Sequence, residues 1–288
     1  MLTVKFLLCL LAATALASAA TRPGMLVTTD WLAQHATDAN VVVLHIAANR
    51  TIYDNGHIPG ARFVPLGELA ITVNGVHNEL PPVADLKKLF ETAGVSDTTR
   101  IILYSDAAVL PATRTYFTLD YLGHADQASL LDGGLEKWRS EGRTLSKDAP
   151  AVTPGTLTPR VKQNVLVPMD TVTQLSSKPA VATSPLLVDV RSPADFHGEK
   201  GAHIPNAMNA FWMEQQVSRE NQTLKPEAAL RSQLEALGIT PGKSVVTYCN
   251  SGMQATQTYF TLKYLGYDVR MYDGSLSEWN LRGGQVEK

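Results

Sequence analysis

The feature that most constrains this chain is an internal duplication with a spacing near half its length. "VTTDWLAQ" (27–34) corresponds to "VPMDTVTQ" (167–174), and "VVLHIAA" (42–48) to "LLVDVRS" (186–192). "GHIPGA" (56–61) answers "AHIPNA" (202–207), and "LPPVADLKKLFETAGV" (80–95) aligns without a gap on "LKPEAALRSQLEALGI" (224–239). "TYFTLDYLG" (115–123) is repeated as "TYFTLKYLG" (258–266), and "LDGGLEKW" (131–138) as "YDGSLSEW" (272–279). Solenoid repeats recur every 20–50 residues or so, so a period this long means two duplicated domains. The Pro-, Ser- and Thr-rich stretch "TLSKDAPAVTPGTLTP" (144–159) reads as the connection between them. The expected division is a leader over 1–20, domains over 21–145 and 161–288, and a linker over 146–160.

Each copy alternates short β-like runs with helical patterns. "PLLVDV" and "KSVVTYC" read as buried strands. "PEAALRSQLEALG" reads as a helix, with Pro226 in its first turn, Ala229, Leu230, Leu234 and Leu237 on one stripe, and Gly238 ending it. "QATQTYFTLKYLG" is another, closed by Gly266. Strands alternating with helices predict an α/β fold: two tandem domains, each a parallel sheet flanked by helices on both faces. Ligand sites in such sheets form beyond the carboxyl ends of the strands.

The first twenty residues, "MLTVKFLLCLLAATALASAA", have the layout of a secretory signal: one basic residue, an apolar run and small residues after it, with cleavage expected after Ala19 or Ala20. The apolar run is too short to span a bilayer, which takes about 20 residues. An exported protein is therefore expected, periplasmic or secreted, with no membrane segment in its mature form. A formal net charge of −2 gives no reason to expect nucleic acid as a partner. Of the two cysteines, Cys9 leaves with the leader and Cys249 remains alone, so an intramolecular disulfide is impossible.

Cys249 directly follows the strand "SVVTY" and precedes a helix beginning near Gln254, which puts it at the ligand-binding edge. The intervening Asn250, Ser251, Gly252, Met253 and Gln254 include a glycine that lets the backbone turn and point its N–H groups inward. Those amides and the helix N-terminus are expected to lower the thiol pKa and make a nucleophile whose cradle also holds an anion. The first copy has Ser105 or Asp106 at this place, depending on a one-residue gap. It has His45 and Ala47 where the second has Asp189 and Arg191. Thiol and arginine thus change together, and one chemical site is expected, in the C-terminal copy.

These residues make the chain resemble a two-domain rhodanese, a thiosulfate or 3-mercaptopyruvate sulfurtransferase. "YDNGHIPGARFV" (53–64) matches the family's N-terminal signature, and "VRMYDGSLSEW" (269–279) its C-terminal one except at Leu276, where an aromatic residue is usual. The resemblance implies that Cys249 takes the outer sulfur of a donor such as thiosulfate as a persulfide and passes it to a thiol or cyanide acceptor in a ping-pong cycle, without cofactor or metal. It implies substrate contacts from residues 250–254 and Arg191, with Asp189 supporting the loop; Arg191 paired structurally to Asp189 is the alternative. The uncharged loop "CNSGMQA" departs from the thiosulfate type. "RSPADFHG" has His197 where the mercaptopyruvate type has a further arginine. Thiosulfate is the expected donor; mercaptopyruvate transfer, or a non-catalytic persulfide carrier, is the alternative.

His57 and His203, and Trp138 and Trp279, recur in both copies and are read as structural. Trp212, Met213 and Arg219 follow "HIPNAMNAF" with no placement from sequence. A cysteine phosphatase would need Arg six positions after the cysteine, to clamp phosphate bidentately, and that position is Ala255. Exchange of Cys249 with the thiol of a redox protein is a further use.

Overall fold

The computed structural model describes residues 19–106, 108–177, 183–198 and 201–288. The expected leader, apart from its last two alanines, lies outside the described residues. In the first half the elements run β1 (Leu26–Val27), α1 (Thr29–His35), β2 (Val41–Ala47), α2 (Arg50–Asp54), β3 (Arg62–Pro65), β4 (Ile71–Val73), β5 (Val76–Glu79), α3 (Val83–Thr92), β6 (Arg100–Ser105), α4 (Leu110–Tyr121), β7 (Ala128–Leu131) and α5 (Gly134–Ser140). The second half runs α6 (Met169–Ser177), β8 (Leu186–Asp189), α7 (Pro193–His197), β9 (Met208–Asn209), α8 (Glu227–Ala236), β10 (Ser244–Tyr248), α9 (Ala255–Tyr264), β11 (Asp268–Met271) and α10 (Ser275–Leu281).

The two halves build two parallel sheets, ordered β1-β7-β6-β2-β3 and β11-β10-β8-β9, with β4 and β5 forming a separate antiparallel hairpin. Where the first sheet has β1, the second keeps one parallel bridge, Leu166 to Met271. The helix expected over "PEAALRSQLEALG" runs as Glu227–Ala236, with Pro226 one step outside as its N-cap and Leu230 and Leu234 as its buried residues. Between Ser140 and Gln163 there is neither helix nor strand, yet the segment clings to the first half: Leu157 is buried, and Arg160 and Lys162 donate backbone bonds to Leu122 and Tyr121.

Each sheet buries two faces differently. The outer face of the first packs Leu32, Ile58, Leu135 and Trp138; that of the second packs Val172, Ile204, Leu276 and Trp279. The inner faces share one continuous core, in which α4 lies against α9. Tyr116 meets Phe260 edge-to-face at 4.9 Å, and Phe117 meets Tyr259 likewise at 5.1 Å. Because Tyr116 and Phe117 correspond to Tyr259 and Phe260, the exchange of partners defines an approximate two-fold axis between the helices.

The paired residues keep matching roles. His57 stacks on Tyr53 and bonds its carbonyl; His203 stacks on Phe196 and bonds that carbonyl. The Trp138 and Trp279 indoles each donate to a carbonyl six residues on, Thr144 and Gln285. Strand register removes the ambiguity left by the loop lengths. Tyr104 pairs with His45 as Tyr248 pairs with Asp189, and both tyrosine hydroxyls accept a backbone N–H, from Ile58 and Ile204. Ser105 therefore occupies the place of Cys249.

Candidate active site

Cys249 stands immediately beyond β10, between that strand and α9, and is only 1 % exposed. Gly252 turns the loop at φ +78°, and a Cβ there would stand 2.7 Å from both the carbonyl and Oδ1 of Asp273. Only glycine satisfies both the left-handed backbone and that close approach. The turn brings the amides of Ala255, Ser251, Gln254 and, least, Gly252 toward the sulfur. Ala255, where sequence reasoning ended the loop, is thus a participant.

The expected lowering of the thiol pKa is not what the structure gives. Burial pushes the Cys249 thiol up, because a thiolate without water is costly, and the four amides offset only part of that cost. The amides favour an anion in the cradle, and burial opposes it.

Arg191, expected to contact the donor, is engaged with Asp189. Its Nε donates to both oxygens of Asp189 at 3.0 Å, and its Nη2 to Asp189 at 2.6 Å and the Ala202 carbonyl at 2.6 Å. Nη1 reaches Asn250 Oδ1 at 3.3 Å. Burial opposes the charge, but the Asp189 carboxylate outweighs it and holds the guanidinium above its ordinary pKa. The geometry is that of a buried bidentate pair bracing Asn250, the residue after the thiol. Trp212 packs into the shared core, Met213 rests against it, and Arg219 is exposed.

Three residues that sequence reasoning passed over complete the loop's frame. Ser275 Oγ accepts the N–H groups of Cys249 and Gly252, both at 3.1 Å, and donates to the Tyr272 carbonyl at 3.0 Å. Ser275 adopts φ 49°, a conformation unfavourable for a residue with a side chain, and its counterpart Gly134 adopts φ 56°. The replacement of that glycine by serine in the thiol-bearing copy alone was the available signal. From the first half, Asn78 donates its side-chain amide to Ser251 Oγ at 2.8 Å. It stands on the hairpin turned by Asn74-Gly75, a dipeptide typical of tight β-turns. Arg114, fully buried on α4, pairs with Asp273. Arg114 is one of two charges, with Asp120, in an otherwise apolar and neutral buried helix, and that was its signal.

Among the described residues, the first copy shows no comparable cradle. Ser105 donates to the Ala108 carbonyl, and the space around Tyr104, Ser105, Ala108 and Gly134 amounts to about 20 Å³, room for no more than a water. In place of Asp189 and Arg191, His45 is buried 3.7 Å from Asp106.

This duplicated sheet architecture, with one thiol cradled at a strand-to-helix loop, defines a class of protein. The pattern of the rhodanese-like domain matches twice, over residues 28–141 and 169–282. The chain belongs to the rhodanese family, as a tandem two-domain member. It is 34% identical over 283 residues to the sulfur carrier protein TtuD of Thermus thermophilus, covering 92% of this chain and 97% of that protein. It is 32% identical over 233 residues to a thiosulfate sulfurtransferase of Azotobacter vinelandii, covering 79% and 83%. Its fold is similar to that of the anaerobic ergothioneine biosynthesis enzyme from Chlorobium limicola, with a TM-score of 0.78, 24% identity, and coverage of 92% of this chain and 70% of the other.

Proposed function

We propose that this rhodanese-like transferase moves the outer sulfur of thiosulfate to a thiophilic acceptor through a persulfide on Cys249. The observation that carries the reading is the convergence of four backbone amides on the one cysteine among the described residues, at the sheet's carboxyl edge. The thiolate attacks the outer sulfur, the bond to the sulfonate sulfur breaks, and its electron pair leaves with sulfite. Cys249 is left as an anionic persulfide, whose charge those amides stabilise. A nucleophile such as cyanide then bonds the terminal sulfur, and the thiolate is regenerated with the electron pair.

The donor preference rests on proton demand. Sulfite leaves as a stable anion, whereas sulfur taken from mercaptopyruvate leaves a carbanion-like enolate that needs a proton. Among the described residues, the side chains that hydrogen-bond the loop are those of Asn78, Arg191, Thr256 and Ser275, none of which releases a proton near neutrality. A second reading, that the protein carries sulfur without turnover, is favoured by the likeness to a named sulfur carrier and by the burial of the thiol. We also propose export, on the composition of residues 1–20, with cleavage leaving a chain whose start packs near Tyr264 and Arg231.

The test is incubation with thiosulfate and then cyanide, counting thiocyanate per chain, beside a Cys249→Ser control and mercaptopyruvate as parallel donor. Many turnovers with thiosulfate, lost in the control, support the transferase; at most one thiocyanate per chain supports the carrier. Preference for mercaptopyruvate overturns the donor. Fractionation of the producing cell tests export, and a protein retaining residues 1–20 in the cytoplasm overturns it.

A further inference from the structure

The Arg114 guanidinium spans from the half without a thiol to the half with one. Its Nη1 and Nη2 pair with the two oxygens of Asp273, Nη2 at 3.1 Å, and Nη2 also donates to the Asn78 carbonyl. Both partners frame the cysteine loop. Asp273 backs directly onto Gly252, and a Cβ on that glycine would stand 3.4 Å from Arg114 Nη1. Two residues beyond Asp273, Ser275 holds the Cys249 and Gly252 amides. Asn78, kept in a left-handed conformation at φ 60°, presents its amide to Ser251.

Stability alone does not account for such a pair. Arg114 is fully buried and Asp273 nearly so, and buried ion pairs are commonly matched or bettered by apolar residues of similar volume. What an apolar pair cannot do is fix two hydrogen-bond acceptors from different halves at one guanidinium. We propose that Arg114 is a positioning residue for the Cys249 site, supplied by the repeat that lacks the thiol. By clamping Asp273 and Asn78 together it sets Ser251 and Gly252 so that their amides meet the sulfur. This gives the first repeat a role in sulfur transfer, and it rests on the sulfurtransferase reading.

The experiment uses the full chain and three variants: Arg114→Met, Arg114→Lys, and Arg114→Met combined with Asp273→Asn, which removes both charges. Thermal midpoint, single-turnover sulfur loading from thiosulfate, and iodoacetamide alkylation of Cys249 resolved by peptide mass are measured on each. Expected for the double variant is a midpoint near wild type, with loading at least tenfold slower and alkylation at least tenfold faster. Arg114→Lys, a point charge without the fork, should recover part of the loading. A folded double variant that loads and alkylates within twofold of wild type overturns the proposal. So does loading that tracks thermal midpoint across the series. Should Arg114→Met or the double variant not fold, Arg114→Lys decides: wild-type loading and alkylation overturn the proposal, and slowed loading with quicker alkylation supports it. A wild-type chain that takes no sulfur removes the function instead, and alkylation alone then judges Arg114.

Discussion

The hydroxyls of Thr113 and Thr256 meet at 2.8 Å in the middle of the molecule, each the counterpart of the other in its own repeat. An approximate two-fold axis passes between them, with the aromatic pairs on either side. The two repeats are thus joined through a common interior, and their unfolding should be coupled.

Phe117→Ala tests that coupling. Phe117 is fully buried and packs across the axis on Tyr259, so truncation should cost about 3–5 kcal/mol. Calorimetry should show one transition moved to lower temperature. Two resolved transitions, with only one displaced, would contradict a shared core.

Ser275 separates strain from function. Ser275→Gly relieves the left-handed backbone, worth about 1 kcal/mol, while losing hydroxyl bonds of similar worth, so stability should change little. Ser275→Ala keeps the strain and loses the bonds, and should be destabilised by about 1 kcal/mol. Both should load sulfur at least tenfold more slowly, since the Cys249 and Gly252 amides lose their anchor. Equal stability of the two variants would sink the argument.

The burial-raised thiol predicts a pH dependence of loading. The reactive thiolate is the minor form at neutral pH, so single-turnover loading should rise with pH through and beyond the ordinary thiol range near 8.5. A group whose folded pKa is raised contributes stability below its unfolded pKa and loses it above. The chain should therefore also weaken in mild alkali, by an amount that Cys249→Ser abolishes. A loading profile already flat from pH 6 to 9 would mean the amides outweigh burial.

Glu79 should set a second dependence. Burial, with the neighbouring charges of Asp273 and Glu278, pushes its carboxyl up to about 7 against the pull of Arg114 and Arg282. Its contribution to stability is complete below about 4.3, the unfolded value, and is lost as pH rises through 7. After allowance for solvent screening this amounts to roughly 1–2 kcal/mol between pH 5 and 8. Glu79→Gln should flatten that slope in urea titrations; an unchanged slope would exclude Glu79 as its source.

Finally, Ser105→Cys puts a thiol at the equivalent place in the first repeat. With about 20 Å³ around it, this thiol should take no sulfur from thiosulfate when Cys249 is changed to serine. Thiocyanate formation by that double variant would show that the first cradle is open.

Much of the molecule was legible in the residue order. Duplication, strand and helix alternation, and the placement of Cys249 at a strand-to-helix loop are local patterns, fixed by periodicities of two and 3.6 residues and by glycines at turns. The frame around the thiol was not. Asn78 and Ser251 are 173 residues apart in the chain, and Arg114 and Asp273 are 159 apart. No periodicity links such residues; they meet because α4 packs on α9 across the axis. The direction of the thiol pKa belongs to the same category. Amides at a helix start can be read from a loop, but how much water the folded chain leaves around the sulfur is decided only when both halves close over it, and desolvation is the larger effect.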